Sequence, residues 1–277
     1  MEEKKLLGSA PFPSAGDLLV MLGLFFVIQL GCSLLGITVL LFAGKSLNTL
    51  QPNELGAYLA ATSFASMLLV SILLVGYRRW RCAPSISWGL RPRRFDPRLL
   101  LWGYLLMAAI GLLLEPLYLL LPALDQQVGR GLGSIVSLVI IAPLFEEFIC
   151  RGLIYGSLRT RYRMLPSMLL SALFFGVLHL HPTALINAFF MGLILAYIYE
   201  RTATLWSAIA LHALNNATAY LLLISGLSEE SLRTLIGNDR LYAILWIAAL
   251  LFAIFALFRL RQLAKSSTPE GKNRATA

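Results

Sequence analysis

Eight long apolar stretches constrain the fold of this chain more than any other feature of its sequence. A helix that crosses a bilayer needs about 20 mainly apolar residues. The fifth and sixth stretches are short and nearly contiguous, which is typical of two tilted helices in a tight hairpin. Together the stretches predict an all-α, polytopic membrane protein, a bundle of about eight transmembrane helices. The stretches cover roughly residues 18–43, 55–77, 99–121, 133–150, 166–180, 182–199, 205–224 and 241–258.

Composition supports this prediction. The chain is 58% hydrophobic and only 13% charged, whereas soluble domains are roughly 45–50% apolar and about 25% charged. The first apolar stretch is long enough to span, and no small-residue cleavage site follows it, so we expect a membrane helix rather than a cleaved signal. The three cysteines, Cys32, Cys82 and Cys150, show neither the spacing of a zinc ribbon nor that of a disulfide framework.

The basic residues predict an orientation. If the N-terminus is cytoplasmic and the helices alternate, all of the 23 Lys and Arg residues except four lie on the cytoplasmic side; the exceptions are Lys45, Arg130, Arg233 and Arg240. This assignment places Arg151 in the connection between the fourth and fifth helices. The asymmetry predicts that both termini are cytoplasmic. It also accounts for the net charge of +9 without a nucleic-acid partner.

Three charged residues interrupt the apolar run "PLFEEFICRGLIY" at 143–155. An ionisable residue at mid-membrane costs at least ~2.5–3.5 kcal/mol, and indicates a function by default. Glu147 and Arg151 are four residues apart, so on a helix they share a face and can neutralise each other. Glu146 points ~100° away. A buried ion pair that fixes helix packing explains Glu147 and Arg151, but it leaves Glu146 unexplained.

Two further patterns place polar groups in apolar helices. Phe175 and His179 are spaced i, i+4, as are His212 and Asn216. If the fourth and fifth helices turn near residues 162–163, Glu146 and His179 lie at similar depth. His212 and Asn216 lie roughly 12–18 Å along their own helix from its cytoplasmic end. A lone histidine is more often a packing residue, but these groups at one depth on separate helices predict a shared site.

The three patterns resemble those of the intramembrane CAAX-type endopeptidases and bacteriocin-processing proteins, often called CPBP or Abi, whose members resemble the type II CAAX prenyl endopeptidase. The family pattern is E-E-x-x-x-R, then F-x-x-x-H, then H-x-x-x-N, and all three occur here in order on separate apolar stretches. The resemblance covers about residues 130–224. The first three helices and the last match only in being hydrophobic.

The resemblance implies an enzyme that hydrolyses peptide bonds at or inside the membrane. Glu146 would be the general base, and Glu147 with Arg151 would hold its helix and charge state. His179 would bind or orient the water, and His212 would stabilise the oxyanion or complete a metal site.

The resemblance also assigns Asn216 to the oxyanion or metal site and Phe175 to the wall of a substrate pocket. A divalent metal such as zinc is the alternative to a metal-free mechanism, with Glu146, His179 and His212 as its ligands. In that case the base is Glu147 or another nearby group. The sequence leaves both mechanisms open, and the absence of H-E-x-x-H means that the zincin template does not apply.

The expected partners are a peptide or membrane-protein substrate, prenylated or not, and the lipid bilayer; the oligomeric state stays open. We expect a multi-pass protein of a bacterial plasma membrane. We expect three segments. Residues 1–130 would hold helices one to three with a basic cytoplasmic loop at 78–98. Residues 131–224 would form a CPBP/Abi-type catalytic core, and residues 225–277 would hold the last helix and a basic tail that is disordered from residue 264. The alternatives are a non-enzymatic scaffold or bacteriocin-immunity protein with the same fold, and a proton-coupled transporter.

Other polar residues are expected to have structural roles. We expect Glu115 to line a kink at Pro116 or to face the outer leaflet, and His181 to face the outer interface. Asn187 and Asn215 are expected to form hydrogen bonds between helices. Cys150 is expected to be a small packing residue.

Overall fold

A computed structural model of the protein describes residues 12–91, 96–122, 129–226 and 231–266. These residues form helices joined by turns, with no strand in the described ranges. The helices are α1 (Ala15–Phe42), α2 (Pro52–Trp80), α3 (Pro97–Tyr118), α4 (Leu132–Arg159), α5 (Met164–Val177), α6 (Pro182–Thr202), α7 (Leu205–Ile224), the short α8 (Leu232–Ile236) and α9 (Asp239–Ser266).

Each of the eight predicted stretches coincides with a helix. Within the described ranges, seven helices are long and apolar enough to cross a membrane, and α5 is a shorter apolar helix. The prediction of an all-α polytopic membrane protein is therefore confirmed. The orientation of the termini stays a prediction.

One boundary differs in a way that matters for function. The fourth stretch was expected to end at residue 150, but α4 continues to Arg159. Arg151 therefore lies inside the helix with its side chain fully buried, and its placement in a connecting loop was wrong. The apolar run ends at an arginine, but the ion pair with Glu147 described below lets the helix continue past it. At the other end of the chain, α9 extends to Ser266, so the expected disorder was wrong for residues 264–266. The rest of the predicted tail lies outside the described residues.

The chain divides into two compact units. The first comprises Met1–Trp88 and Val128–Phe174, and the second comprises Gly89–Gln127 and Phe175–Ala277. The first unit therefore contains α1, α2, α4 and most of α5. The second contains α3, α6, α7, α8 and α9.

Glycines allow α2 and α4 to approach closely within the first unit. A Cβ placed on Gly133 would lie 2.4 Å from the backbone nitrogen of Ala57 and 2.4 Å from the carbonyl carbon of Gly56. A Cβ on Gly56 would in turn lie 2.6 Å from Ser134 Oγ. Small residues commonly form such contacts in membranes, because helices there associate through close packing.

We expect Gly133→Ala to destabilise the protein by about 1–3 kcal/mol, because the added methyl group must push the two helix backbones apart. The free energy of unfolding, measured by denaturant titration in detergent micelles, checks this. Gly31→Ala is the matched control, since a Cβ on Gly31 meets nothing within 4 Å. Equal stabilities for the two variants would contradict the close approach.

The start of the basic loop is bound to the protein. Arg78 is buried and donates from Nε to Ser157 Oγ at 3.2 Å, and its guanidinium lies 5.9 Å from the centre of the Trp88 ring. The Trp88 ring stacks on Phe148 with centroids 5.4 Å apart. Arg81 pairs with Asp17 at 3.1 Å. These two arginines therefore stabilise the first unit, in addition to any effect of their charge on topology.

In the second unit, the acidic residue of α3 joins that helix to its neighbours. Helix α3 continues past Pro116 to Tyr118. Glu115 accepts hydrogen bonds from the Tyr242 hydroxyl at 2.7 Å and from the Arg233 backbone N–H at 3.3 Å. Glu115 therefore attaches α3 to α8 and α9.

Candidate active site

The two adjacent glutamates lie in the middle of α4, between two π-helical segments. The α-helical segment Ala142–Glu147 follows a π-helix at Val136–Ile141 and precedes another at Phe148–Tyr155. π-Helices are rare and occur frequently at functional sites. The sequence pattern predicted a regular helix here and gave no indication of these two segments. Pro143 is a signal of the first, because proline has no N–H to donate to the preceding turn.

Glu147 and Arg151 form the ion pair that their spacing predicts. Arg151 Nη1 donates to Glu147 Oε1 at 2.8 Å, and both side chains are fully buried. Burying either charge alone would cost several kcal/mol, about 3–5 when one partner of such a pair is removed. The pair therefore neutralises two charges within the helix.

Glu146 is in a different environment from its neighbour. Its side chain is half-buried, whereas that of Glu147 is fully buried. Cys150, one turn on, is fully buried, and its carbonyl accepts a hydrogen bond from Ser171 Oγ of α5 at 2.8 Å. The cysteine is thus a packing residue at a helix contact, as expected, and Glu146 is the more accessible of the two carboxylates.

In the second unit, Phe175 contacts both candidate histidines. Its ring meets the His179 ring edge-on at a centroid distance of 5.0 Å and the His212 ring edge-on at 5.6 Å. Phe175 itself is buried. Because one rigid aromatic ring packs against both imidazoles, it fixes where they lie relative to each other.

A backbone contact defines the tautomer of His179. The residue lies in the turn that follows the end of α5 at Val177, and its Nδ1 is 3.0 Å from the Phe175 carbonyl oxygen. A carbonyl only accepts hydrogen bonds, so Nδ1 carries the proton. In the neutral ring, Nε2 then has the lone pair that can accept a proton or bind a water.

The two histidines and Asn216 share a cavity of about 380 Å³ in the second unit. Polar side chains gather at it among apolar ones. The lining residues are Met107, Tyr118, Phe175, His179, Thr183, Ala184, Asn187, Ala188, Met191, Leu195, His212, Asn215, Asn216 and Ala219. Four sequence-predicted site residues therefore lie on one cavity.

Hydrogen bonds hold other amides of this cavity. The Tyr118 hydroxyl donates to Asn187 Oδ1 at 3.2 Å, which joins α3 to α6 and confirms the interhelical role expected of Asn187. Asn215 instead donates to Asn216 Oδ1 on its own helix, at 3.5 Å. Tyr118 and Thr183 were not predicted as lining residues, because neither has a spacing that distinguishes it from ordinary helix packing.

Two of the three expected metal ligands, His179 and His212, line this cavity, whereas Glu146 belongs to the first unit. Among the residues that the structure describes, no group of three or more His, Cys, Asp and Glu side chains is placed to hold a metal ion. Catalytic zinc sites use three protein ligands. His179 and His212 provide two nitrogen donors at the cavity.

Comparison with known proteins supports the resemblance seen in the motifs. Residues 129–218 match the model of a family described as "Type II CAAX prenyl endopeptidase Rce1-like". A protein of Bacillus subtilis (strain 168) named "Putative membrane peptidase YdiL" is 32% identical over 77 residues, which are 28% of this chain and 32% of that relative. The chain thus matches about a third of the relative's length. No solved structure matches the chain significantly. The predicted resemblance is confirmed for this segment.

Proposed function

We propose that this protein, whose residues 129–218 are similar to the type II CAAX prenyl endopeptidases, is an intramembrane endopeptidase. The observation that carries the proposal is the cavity on which His179, His212 and Asn216 lie, with Phe175 packed edge-on against both imidazoles. Peptide hydrolysis needs a water nucleophile, a base and donors that stabilise an oxyanion. The chain provides candidates for each.

Glu146 is the proposed general base. It takes a proton from the attacking water as the water oxygen bonds to the peptide carbonyl carbon. The same proton then passes to the leaving nitrogen as the C–N bond breaks, which yields a carboxylic acid and an amine. We assign this role to Glu146 and not to Glu147, because Glu147 is fully buried in an ion pair with Arg151 whereas Glu146 is more accessible. The pair instead positions the helix that carries Glu146.

The cavity residues orient the water and stabilise charge. His179 Nε2 accepts a hydrogen bond from the attacking water, because Nδ1 is bound to the Phe175 carbonyl. His212 and the Asn216 amide donate to the oxyanion of the tetrahedral intermediate. These steps need no metal ion. A divalent metal held by Glu146, His179 and His212 is the alternative, and the chelator experiment below distinguishes the two.

We further propose a membrane-associated or CAAX-like peptide, prenylated or not, as the substrate. The seven long apolar helices of the described ranges support a site within a bilayer, where soluble peptides rarely enter. A plasma membrane of a bacterium, with both termini in the cytoplasm, is the location that the sequence favours.

Histidine substitutions test the proposal. We expect His179→Ala and His212→Ala each to lower kcat/KM for a membrane-embedded peptide about 10²–10³-fold, as loss of one preorganised polar group does elsewhere. His181→Ala is the matched control, because His181 is not among the cavity-lining residues and its side chain does not cap α6. Wild-type rates for both cavity variants would refute the proposal. A chelator arm, with zinc added back, tests metal dependence in the same samples.

A further inference from the structure

The first unit has a pocket of its own, an apolar groove between α2 and α4. Its volume is about 600 Å³. On α2, the lining residues recur at helical spacing along one face, from Leu68 through Ile72 and Gly76 to Arg79. On α4, Phe145 and Phe148 line it. The groove shares no lining residue with the cavity described above, which belongs to the second unit.

The groove opens to the surface that a membrane-spanning helix presents to lipid. Leu68 is 40% exposed and Ile72 is 59% exposed, and both belong to α2, which is long and apolar enough to cross a membrane. Gly76 has no side chain to fill the groove, and a Cβ placed on it would meet nothing within 4 Å. The occupant must therefore be apolar along most of its length.

One end of the groove is cationic. Arg79 lines it and is exposed, and within the described residues its guanidinium has no ion-pair or hydrogen-bond partner. The arginines on either side differ, since Arg78 binds Ser157 and Arg81 binds Asp17. Trp80, the last residue of α2, is 75% exposed. Exposed tryptophan beside arginine is typical of the level of the lipid headgroups.

The length of the groove matches one leaflet. Arg79 follows Leu68 by eleven positions in the chain, which is ~16 Å along a helix at 1.5 Å per residue. The hydrocarbon core of a bilayer is ~30 Å thick, so the groove runs from headgroup level to about the midplane. A lipid of one leaflet has this length and this polarity, with phosphate at one end and hydrocarbon along the rest.

We propose that the groove binds one anionic glycerophospholipid. Its phosphate contacts Arg79, and one acyl chain runs past Gly76 and Ile72 to Leu68, against Phe145 and Phe148. Those two phenylalanines flank Glu146 and Glu147 in the chain, so the bound lipid packs on the segment of α4 that carries the glutamates. The binding itself does not depend on the proposed hydrolytic activity.

Filling the groove tests where the acyl chain lies. The full-length protein is purified in detergent and titrated with phosphatidylglycerol or phosphatidylcholine, and bound lipid is counted by native mass spectrometry. We expect one phosphatidylglycerol to bind the wild-type protein, and Gly76→Leu to weaken this at least tenfold. Leucine is favourable in a helix, so the variant should fold. Gly31→Leu, on an equally open face of α1, should bind lipid as the wild type does.

Removing the charge tests the headgroup contact. A basic residue near a membrane surface adds about fivefold to the affinity for an anionic lipid. We expect the wild type to prefer phosphatidylglycerol to phosphatidylcholine by about that factor, and Arg79→Gln to abolish the preference. Arg240→Gln, at another exposed arginine, should retain it. Equal retention of both lipids by the wild type and all variants would overturn the proposal. Unchanged lipid binding by Gly76→Leu with lost peptide binding would overturn it too, and would assign the groove to a peptide.

Discussion

Glu146→Gln is expected to slow peptide hydrolysis by about 10²–10⁴-fold, the usual contribution of a general base. Glutamine has nearly the shape of glutamate but cannot take a proton from water. The loss should therefore fall on kcat, with little change in KM or in the free energy of unfolding. Steady-state cleavage of a fluorogenic membrane peptide by the protein in liposomes measures both kinetic constants.

Glu115→Gln is the matched control for this substitution. Glu115 is also a carboxylate within a membrane-spanning helix, but its partners are Tyr242 and the Arg233 backbone, at the contact of α3 with α8 and α9. We expect this variant to retain the wild-type rate. If Glu146→Gln also retains it, another group is the base. If Glu115→Gln loses as much activity as Glu146→Gln, the effect reports general damage to the helices and not the loss of a base.

Arg151→Met is expected to destabilise the protein by about 3–5 kcal/mol, because it leaves the buried Glu147 carboxylate without its counter-charge. Both side chains of the pair are fully buried in the structure, at an N–O distance of 2.8 Å, so water cannot replace the arginine. The free energy of unfolding in detergent measures the loss. Stability close to that of the wild type would show that the pair contributes little.

The double variant Glu147→Met/Arg151→Met separates the charge from the packing. Replacement of a whole buried pair by apolar residues of similar size is often neutral or stabilising. We therefore expect the double variant to recover most of the stability that Arg151→Met loses. The pair positions α4 but is not the proposed base. We therefore expect the kcat of the double variant to fall less than that of Glu146→Gln. A double variant as unstable as Arg151→Met would mean that packing at these positions, and not charge, is what the single change disrupts.

The sequence predicted the helices well because their signal is long and composition-dependent. Each apolar stretch became a helix, and the i, i+4 spacing of Glu147 and Arg151 correctly predicted their contact. The hydropathy pattern failed at the end of α4, where the charge of Arg151 looked like a helix boundary. The buried Glu147 carboxylate neutralises this arginine and lets the helix continue. Hydropathy alone does not show which charged residues are paired.

Features that depend on tertiary contacts could not be predicted. The π-helical segments on both sides of Glu146 change the register of α4, and only Pro143 hints at one of them. The packing of Phe175 against both His179 and His212 joins residues far apart in the chain. The family resemblance implied that Phe175 lines a pocket, but it did not indicate that this ring packs against two imidazoles.

The proposed reaction is the cleavage of peptide bonds by water inside a membrane. Hydrolysis in H₂¹⁸O tests it most directly. The purified protein in liposomes is given a farnesylated CAAX peptide and an unprenylated transmembrane peptide, and the products are weighed by mass spectrometry. We expect one ¹⁸O atom in the new carboxylate of at least one peptide, at a rate that falls with Glu146→Gln. Intact peptides, or cleavage that proceeds equally in the Glu146→Gln variant, would contradict it.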